Sequence, residues 1–212
     1  MPVDDGVDEG DGGPGELTLL LADSIDDREE EKSTCARISE PGHGVEEADY
    51  LAVISNRTVG DVIRKVDSHF DGFPNHLYVL SLSVSDTHGS EEVEGYDYEG
   101  LEDDVTEDSV SLLNASPDDL TRIGLRTREA IDSHDESDAE YLSVCYGSLN
   151  TLLQYHDVNT VFRFLHTVTG NLKSADALAH FHLNPDAVSK KELSTLRQLF
   201  DGEIECRSVG SG

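Results

Sequence analysis

Short, nearly continuous apolar runs, each followed by helix-start signals, recur along almost the whole chain. A run of that kind is a strand covered on both faces, and strands separated by helices build a mainly parallel sheet. The runs are Leu17–Ala22, Tyr50–Ser55, Leu77–Val84, Val110–Ala115, Tyr141–Tyr146 and Ala177–Leu183, with Glu203–Arg207 as a closing edge strand. Between the first two, Glu29–Ile38 reads as a helix. Thr58 with Asp61 makes a capping-box start for a helix ending near Phe70. Ser116, followed by Pro117, Asp118 and Asp119, reads as the cap of the next one. Leu149–Tyr155 is a short helix, and Asn159 caps a longer one whose Val161, Phe162, Leu165, Val168 and Leu172 recur at helical spacing. Ser189 with Glu192 makes a second capping box, and that helix stops at Gly202. The expected fold is therefore a three-layer α/β/α arrangement with a mainly parallel central sheet. Any ligand site belongs at the carboxyl ends of the strands, in the loops after Ala22, Ser55, Val84, Tyr146 and Leu183.

The domain organisation follows from where this alternation stops. Residues 1–15 are acidic and Gly-rich and read as a disordered tail. Residues 16–208 form a single domain, and 209–212 are a second tail. Within the domain, the stretch at about 85–109 carries acids from Asp86 to Asp108 with no Lys or Arg among them. Such a run reads first as a solvated loop, and alternatively as a contact surface for a basic partner or hydrated cations.

The net charge of -30, from 45 Asp+Glu against 15 Lys+Arg, then sets the class of environment. In ordinary salt that charge on one compact body repels itself. In molar salt the screening length falls to about 3 Å, and the carboxylates serve solubility. The composition therefore points to a high-salt, halophilic cytoplasm. It excludes direct nucleic-acid binding, which needs clustered Lys and Arg, and an anionic membrane surface. No apolar run approaches the roughly 20 residues of a spanning helix, and no signal-peptide pattern opens the chain. Cys35, Cys145 and Cys206 are few, odd in number and widely spaced, as free thiols in a reducing compartment are.

Five candidate sites remain. The loop after the first run reads Asp23 to Thr34, with Lys32 and Ser33 where a phosphate-binding loop has its Lys and hydroxyl. Asp26 and Glu31 occupy the two glycine places, and Asp27, Glu29 and Glu30 add charge that repels phosphate. His180 and His182 share one face of a strand and, with His166 or Asp186, are the alternative metal site; a hydrogen-bonded or solvated pair is the plainer reading. Cys145, between apolar neighbours, reads as a small buried hydrophobe rather than a nucleophile. Ser148 follows a strand and a glycine but lacks the Gly-x-Ser-x-Gly pattern. Arg163, Lys173, Lys190, Lys191 and Arg197 concentrate positive charge near the end of the chain, either paired with acids or offered to an acidic surface.

From about Gly15 to Arg207 the order of motifs resembles the RecA/KaiC-like ATPase fold, of P-loop NTPase topology, and more narrowly a set of uncharacterised halophilic archaeal proteins. The stretches that carry this are Val144–Tyr155, Val161–Leu165, Ala179–His182 and Leu196–Gly202. The resemblance implies ATP and Mg²⁺ as cofactors, an Mg²⁺-orienting aspartate at the place of Gly147, and a catalytic acid near Asn56 and Arg57. Neither is an acid here. With the phosphate loop also degenerate, the expectation is a pseudo-ATPase that uses no cofactor and acts through a protein partner or self-association as a homo-oligomer. The alternative is an ATP-binding switch with little or no hydrolysis.

Overall fold

Burial of nearly every residue on the central strands, on both faces, decides how this chain is layered. The structure is a computed structural model that describes residues 15–22, 29–40, 44–55, 57–70, 72–83, 106–147 and 149–206. The strands are β1 (Leu17–Ala22), β2 (Ala48–Ser55), β3 (His76–Leu82), β4 (Val110–Ala115), β5 (Tyr141–Tyr146), β6 (Leu178–Leu183) and β7 (Gly202–Cys206). The helices are α1 (Glu29–Ser39), α2 (Val59–His69), α3 (Leu120–Asp135), α4 (Leu149–Tyr155), α5 (Val158–Ser174) and α6 (Lys190–Leu196).

The strands form one seven-stranded sheet in the order β4-β3-β2-β5-β6-β1-β7, and every pairing is parallel. Successive side chains on a strand point to opposite faces, so each inner strand feeds two cores. On one face Leu19, Leu51, Val53, Val144, Tyr146 and Phe181 pack against α3, α4, α5 and α6. On the other, Tyr50, Ala52, Ile54, Leu77 and Val79 meet Val59, Val62, Ile63 and Val66 of α2. A third, smaller group joins Leu20 and Ala22 of β1 to Cys35 of α1 and Cys206 of β7. The expected three layers and parallel sheet are present.

Helix starts are set by side chains that accept backbone N–H groups the helix itself leaves unpaired. Thr58 and Ser189 carry the two capping boxes expected of them. Two other caps differ. The helix α3 is capped by Asp119, whose carboxylate accepts from Arg122 N. Ser116 instead opens the preceding turn, its carbonyl accepting from Asp119 N at 3.0 Å, with Pro117 at the position that favours its fixed φ. The cap of α5 is Asp157, which accepts from both Asn159 N and Thr160 N and leaves Asn159 inside the first turn. A carboxylate beside the positive end of a helix outcompetes a neutral amide. α6 runs into a 3-10 turn, Arg197–Leu199, before Gly202 opens β7 at the sheet edge. The basic residues expected near the end of the chain are partly paired: Lys173 with Asp201, and Arg197 with Glu203.

The segments 1–14 and 207–212 and most of the acidic stretch, 84–105, lie outside the described residues. Among the described residues no helix is long and apolar enough to cross a membrane.

Candidate functional site

The chain leaves β2 for β3 on one side and β5 for β6 on the other, although β2 and β5 are neighbours. Helices after two such strands lie on opposite faces and leave a crevice at their carboxyl ends. A cleft of 570 Å³ occupies that place. Ser55 and Arg57 line it from the end of β2, Lys65 and His69 from α2, Asn150 and Gln154 from α4, and Asn184 from beyond β6. The expected position of a ligand site, after Ser55, Tyr146 and Leu183, is where this cleft opens.

Its rim is held by polar contacts across elements. Ser55 Oγ and Thr151 Oγ1 are 2.8 Å apart. The Asn150 amide both accepts from Asn184 N at 2.7 Å and donates to Asn184 O at 3.1 Å, so α4 is tied to the chain leaving β6. Asp61 is the one carboxylate among the described lining residues. It accepts from Thr58 N and Thr58 Oγ1 and pairs with Arg64. Those hydrogen bonds from Thr58, and then Arg64, hold its carboxyl below the usual range. Gly147 closes the floor: its N–H donates to Val53 O at 2.7 Å, and a Cβ there would stand 2.7 Å from the same oxygen. Any side chain at this position forces the backbone to move.

The cleft runs inward to a cluster of thiols and imidazoles beneath α1. Cys145 on β5 and His180 on β6 are register partners, and His182 is two residues further along β6, on the same face. Cys35 reaches them from α1, which lies over β5 and β6. His182 Nε2 is 3.4 Å from Cys145 Sγ and 3.6 Å from Cys35 Sγ. The ligand atoms of Cys35, His180 and His182 all lie within 4.8 Å of one another, and all three residues are buried. Cys145 is half-buried on the cleft side.

Charge and burial oppose each other in this cluster. Burial pushes the Cys35 thiol up, but the imidazoles of His182 and His180 outweigh it and bring it to about 7. Burial likewise pushes His180 down, and the sulfurs of Cys145 and Cys35 raise it to about 9. Cys145 is held well below and His182 well above its ordinary value by the same opposition. Yet neither ring nitrogen of His180 has a hydrogen-bond partner of acceptable geometry. The sulfurs of Cys145 and Cys35 stand close enough to raise His180, chiefly through charge, without completing a hydrogen bond of good geometry to it. The hydroxyl of Ser143, two residues before Cys145 on the same face, is also buried without a partner.

Of the residues singled out from sequence, His180 and His182 do meet, and their companions are Cys35 and Cys145. His166 on α5 and Asp186 in the turn after β6 are exposed and stand outside the cluster. Cys145 is a neighbour of an imidazole and not a plain hydrophobe. Lys32 and Ser33 lie in the first turns of α1, with the loop 23–28, their side chains, Asn56 and Ser148 outside the described residues. A signal for the cluster did exist: two histidines on a strand covered on both faces are buried, and buried imidazoles need partners. The identity of those partners depends on strand register and on α1, which spacing does not encode.

The profile of a family of unknown function, DUF7504, matches residues 46–206, and the chain belongs to that family. No curated protein matches the chain.

Proposed function

For this DUF7504 protein we propose a non-catalytic, RecA/KaiC-like regulatory or scaffold role in a high-salt cytoplasm, with the cleft between β2 and β5 as its working surface. The observation that carries this reading is the closed space at Gly147. A hydrolase on such a frame needs a carboxylate there to orient Mg²⁺, and a Cβ at that place would meet Val53 O at 2.7 Å. The end of β2 supports the same reading. Ser55 is engaged with Thr151, and Arg57, a cation, stands near the place of a water-orienting acid. The sheet order is in keeping with a RecA-like frame, since it brings the ends of β2 and β5 to one crevice with β6 and β1 beyond them.

A second reading, a switch that binds a nucleotide without hydrolysing it, is favoured by Arg57 and Lys65 in the cleft lining. On a chain of net charge -30, two cations flanking one cleft suit a small anion.

Both readings are tested by calorimetric titration with MgATP in multimolar KCl, beside a phosphate-release assay. No phosphate release is expected. If heat of binding appears and Lys65→Ala weakens it while Lys32→Ala does not, the switch reading holds for the cleft. Phosphate release that Lys32→Ala abolishes overturns the non-catalytic reading.

A further inference from the structure

We propose that Cys35, Cys145, His180 and His182 bind a single zinc ion, which ties α1 to β5 and β6. The inference is independent of what occupies the cleft.

The donor set is the first argument. Two thiols and two imidazoles are the ligands of closed, tetrahedral zinc sites, and soft sulfur disfavours Mg²⁺ and Ca²⁺. Geometry is the second. A tetrahedron with bonds of about 2.3 Å to sulfur and about 2.0 Å to nitrogen has sulfur–nitrogen edges of about 3.5 Å. His182 Nε2 stands 3.6 Å from Cys35 Sγ and 3.4 Å from Cys145 Sγ, so two edges already have that length. His180 belongs to the same group, with its ligand atom within 4.8 Å of those of Cys35 and His182.

The third argument is what the cluster lacks without an ion. Both sulfurs share the single His182 Nε2, and the His180 imidazole is left with no hydrogen bond of good geometry. His180 is 0% exposed and both of its ring nitrogens are unpartnered. A buried polar group in that condition is destabilising unless something fills its valence. A zinc ion supplies one bond to it and converts the sulfurs into ligands. With two thiolates and two neutral imidazoles the filled site carries no net charge, which minimises the penalty of burying it. Binding releases the protons that the sulfurs and imidazoles hold between them in the metal-free chain.

The position of the site gives the ion a structural task. Cys35 is the one donor outside the sheet, on α1. The other three donors sit on two adjacent strands in fixed register. Zinc therefore joins a rigid half-site to α1, and the cleft, lined by Cys35, Cys145 and His182 among others, takes its inner wall from that joint.

The test is elemental analysis of the purified full chain, followed by replacement of the metal with Co²⁺ and absorption spectroscopy. The expected result is one zinc per chain. The Co²⁺ form should show the intense visible bands of tetrahedral coordination and a thiolate-to-cobalt band in the near ultraviolet. Cys35→Ser and Cys145→Ser should each reduce that thiolate band by about half, and His180→Leu should weaken zinc binding on the order of 100-fold or more. Circular dichroism of each variant without metal identifies any that fails to fold. His180→Leu, which removes an unpartnered group from a buried place, is expected to fold. Wild type that neither retains zinc nor yields the thiolate band with Co²⁺ overturns the proposal. So does a thiolate band that a folded Cys35→Ser variant leaves unchanged.

Discussion

Asp49 near the amino end of β2 and His180 within β6 are both 0% exposed, and their surroundings are opposite. Asp49 Oδ1 accepts from Asn75 Nδ2 at 2.8 Å. Its Oδ2 accepts from Ser137 Oγ at 2.6 Å and meets His134 Nδ1 at 2.9 Å. Burial pushes this carboxyl up, but the hydrogen bonds from His134, Ser137 and Asn75 win and hold it below its ordinary value. His180 has two sulfurs near it and no hydrogen bond of good geometry to either ring nitrogen. A buried polar group completed by its own protein is a structural joint, here fastening β2 to Asn75, just before β3, and to the end of α3. A buried polar group left incomplete calls for an explanation, and beside two thiols and a second imidazole a metal ion supplies one.

The largest effect expected from this contrast is on the metal. Zinc at about 1,000 times its dissociation constant should stabilise the chain by about 4 kcal/mol, or on the order of 10 °C in Tm, over chelator-treated protein. Equal Tm values in scanning calorimetry would remove the distinction between the two clusters. Next in size is Asp49→Ala, which strands the groups that converge on it and should destabilise by about 3 kcal/mol in denaturant unfolding. A loss below about 1 kcal/mol would mean that the joint carries little.

A smaller effect is on acid stability. Asp49 has a folded pKa below its unfolded value of 3.8, so its contribution is fully present above the unfolded value. It is lost as pH falls through the lowered folded value. The titratable groups facing it are His134, His76 and Tyr78. As pH falls below about 4 wild type should therefore lose stability more steeply than Asp49→Asn, read from denaturant midpoints. Parallel curves would assign acid unfolding to other carboxylates. The smallest effect is on His180→Leu without metal, a change of similar volume that removes an unpartnered group. It should alter stability by less than about 1 kcal/mol, and in the stabilising direction. A large loss would show that His180 is already satisfied in the metal-free chain.

Much of the frame was legible in the residues. Leu17–Ala22, Val110–Ala115, Tyr141–Tyr146 and Leu149–Tyr155 have the bounds their apolar patterns predict. Thr58 and Ser189 cap as a hydroxyl followed three residues later by an acid should. The caps at Asp119 and Asp157 were less legible, because several capping residues stand in a row and only backbone geometry chooses among them. The site divided in the same way. The carboxyl-end cleft follows from parallel strands alone, and the histidine pair from period-two alternation. The identification of Lys32 and Ser33 concerns side chains outside the described residues.

The sequence by itself determined the layers, the parallel sheet and the crowding of acids, because these depend on local pattern and on sums over residues. Tertiary structure alone decided that Cys35 stands over His182 across 147 positions of chain, and that Cys145 stands beside His180. Those meetings depend on the order β2-β5-β6-β1 and on how α1 lies across it. Strand order is set by packing of whole elements against one another, and no local window of sequence contains it.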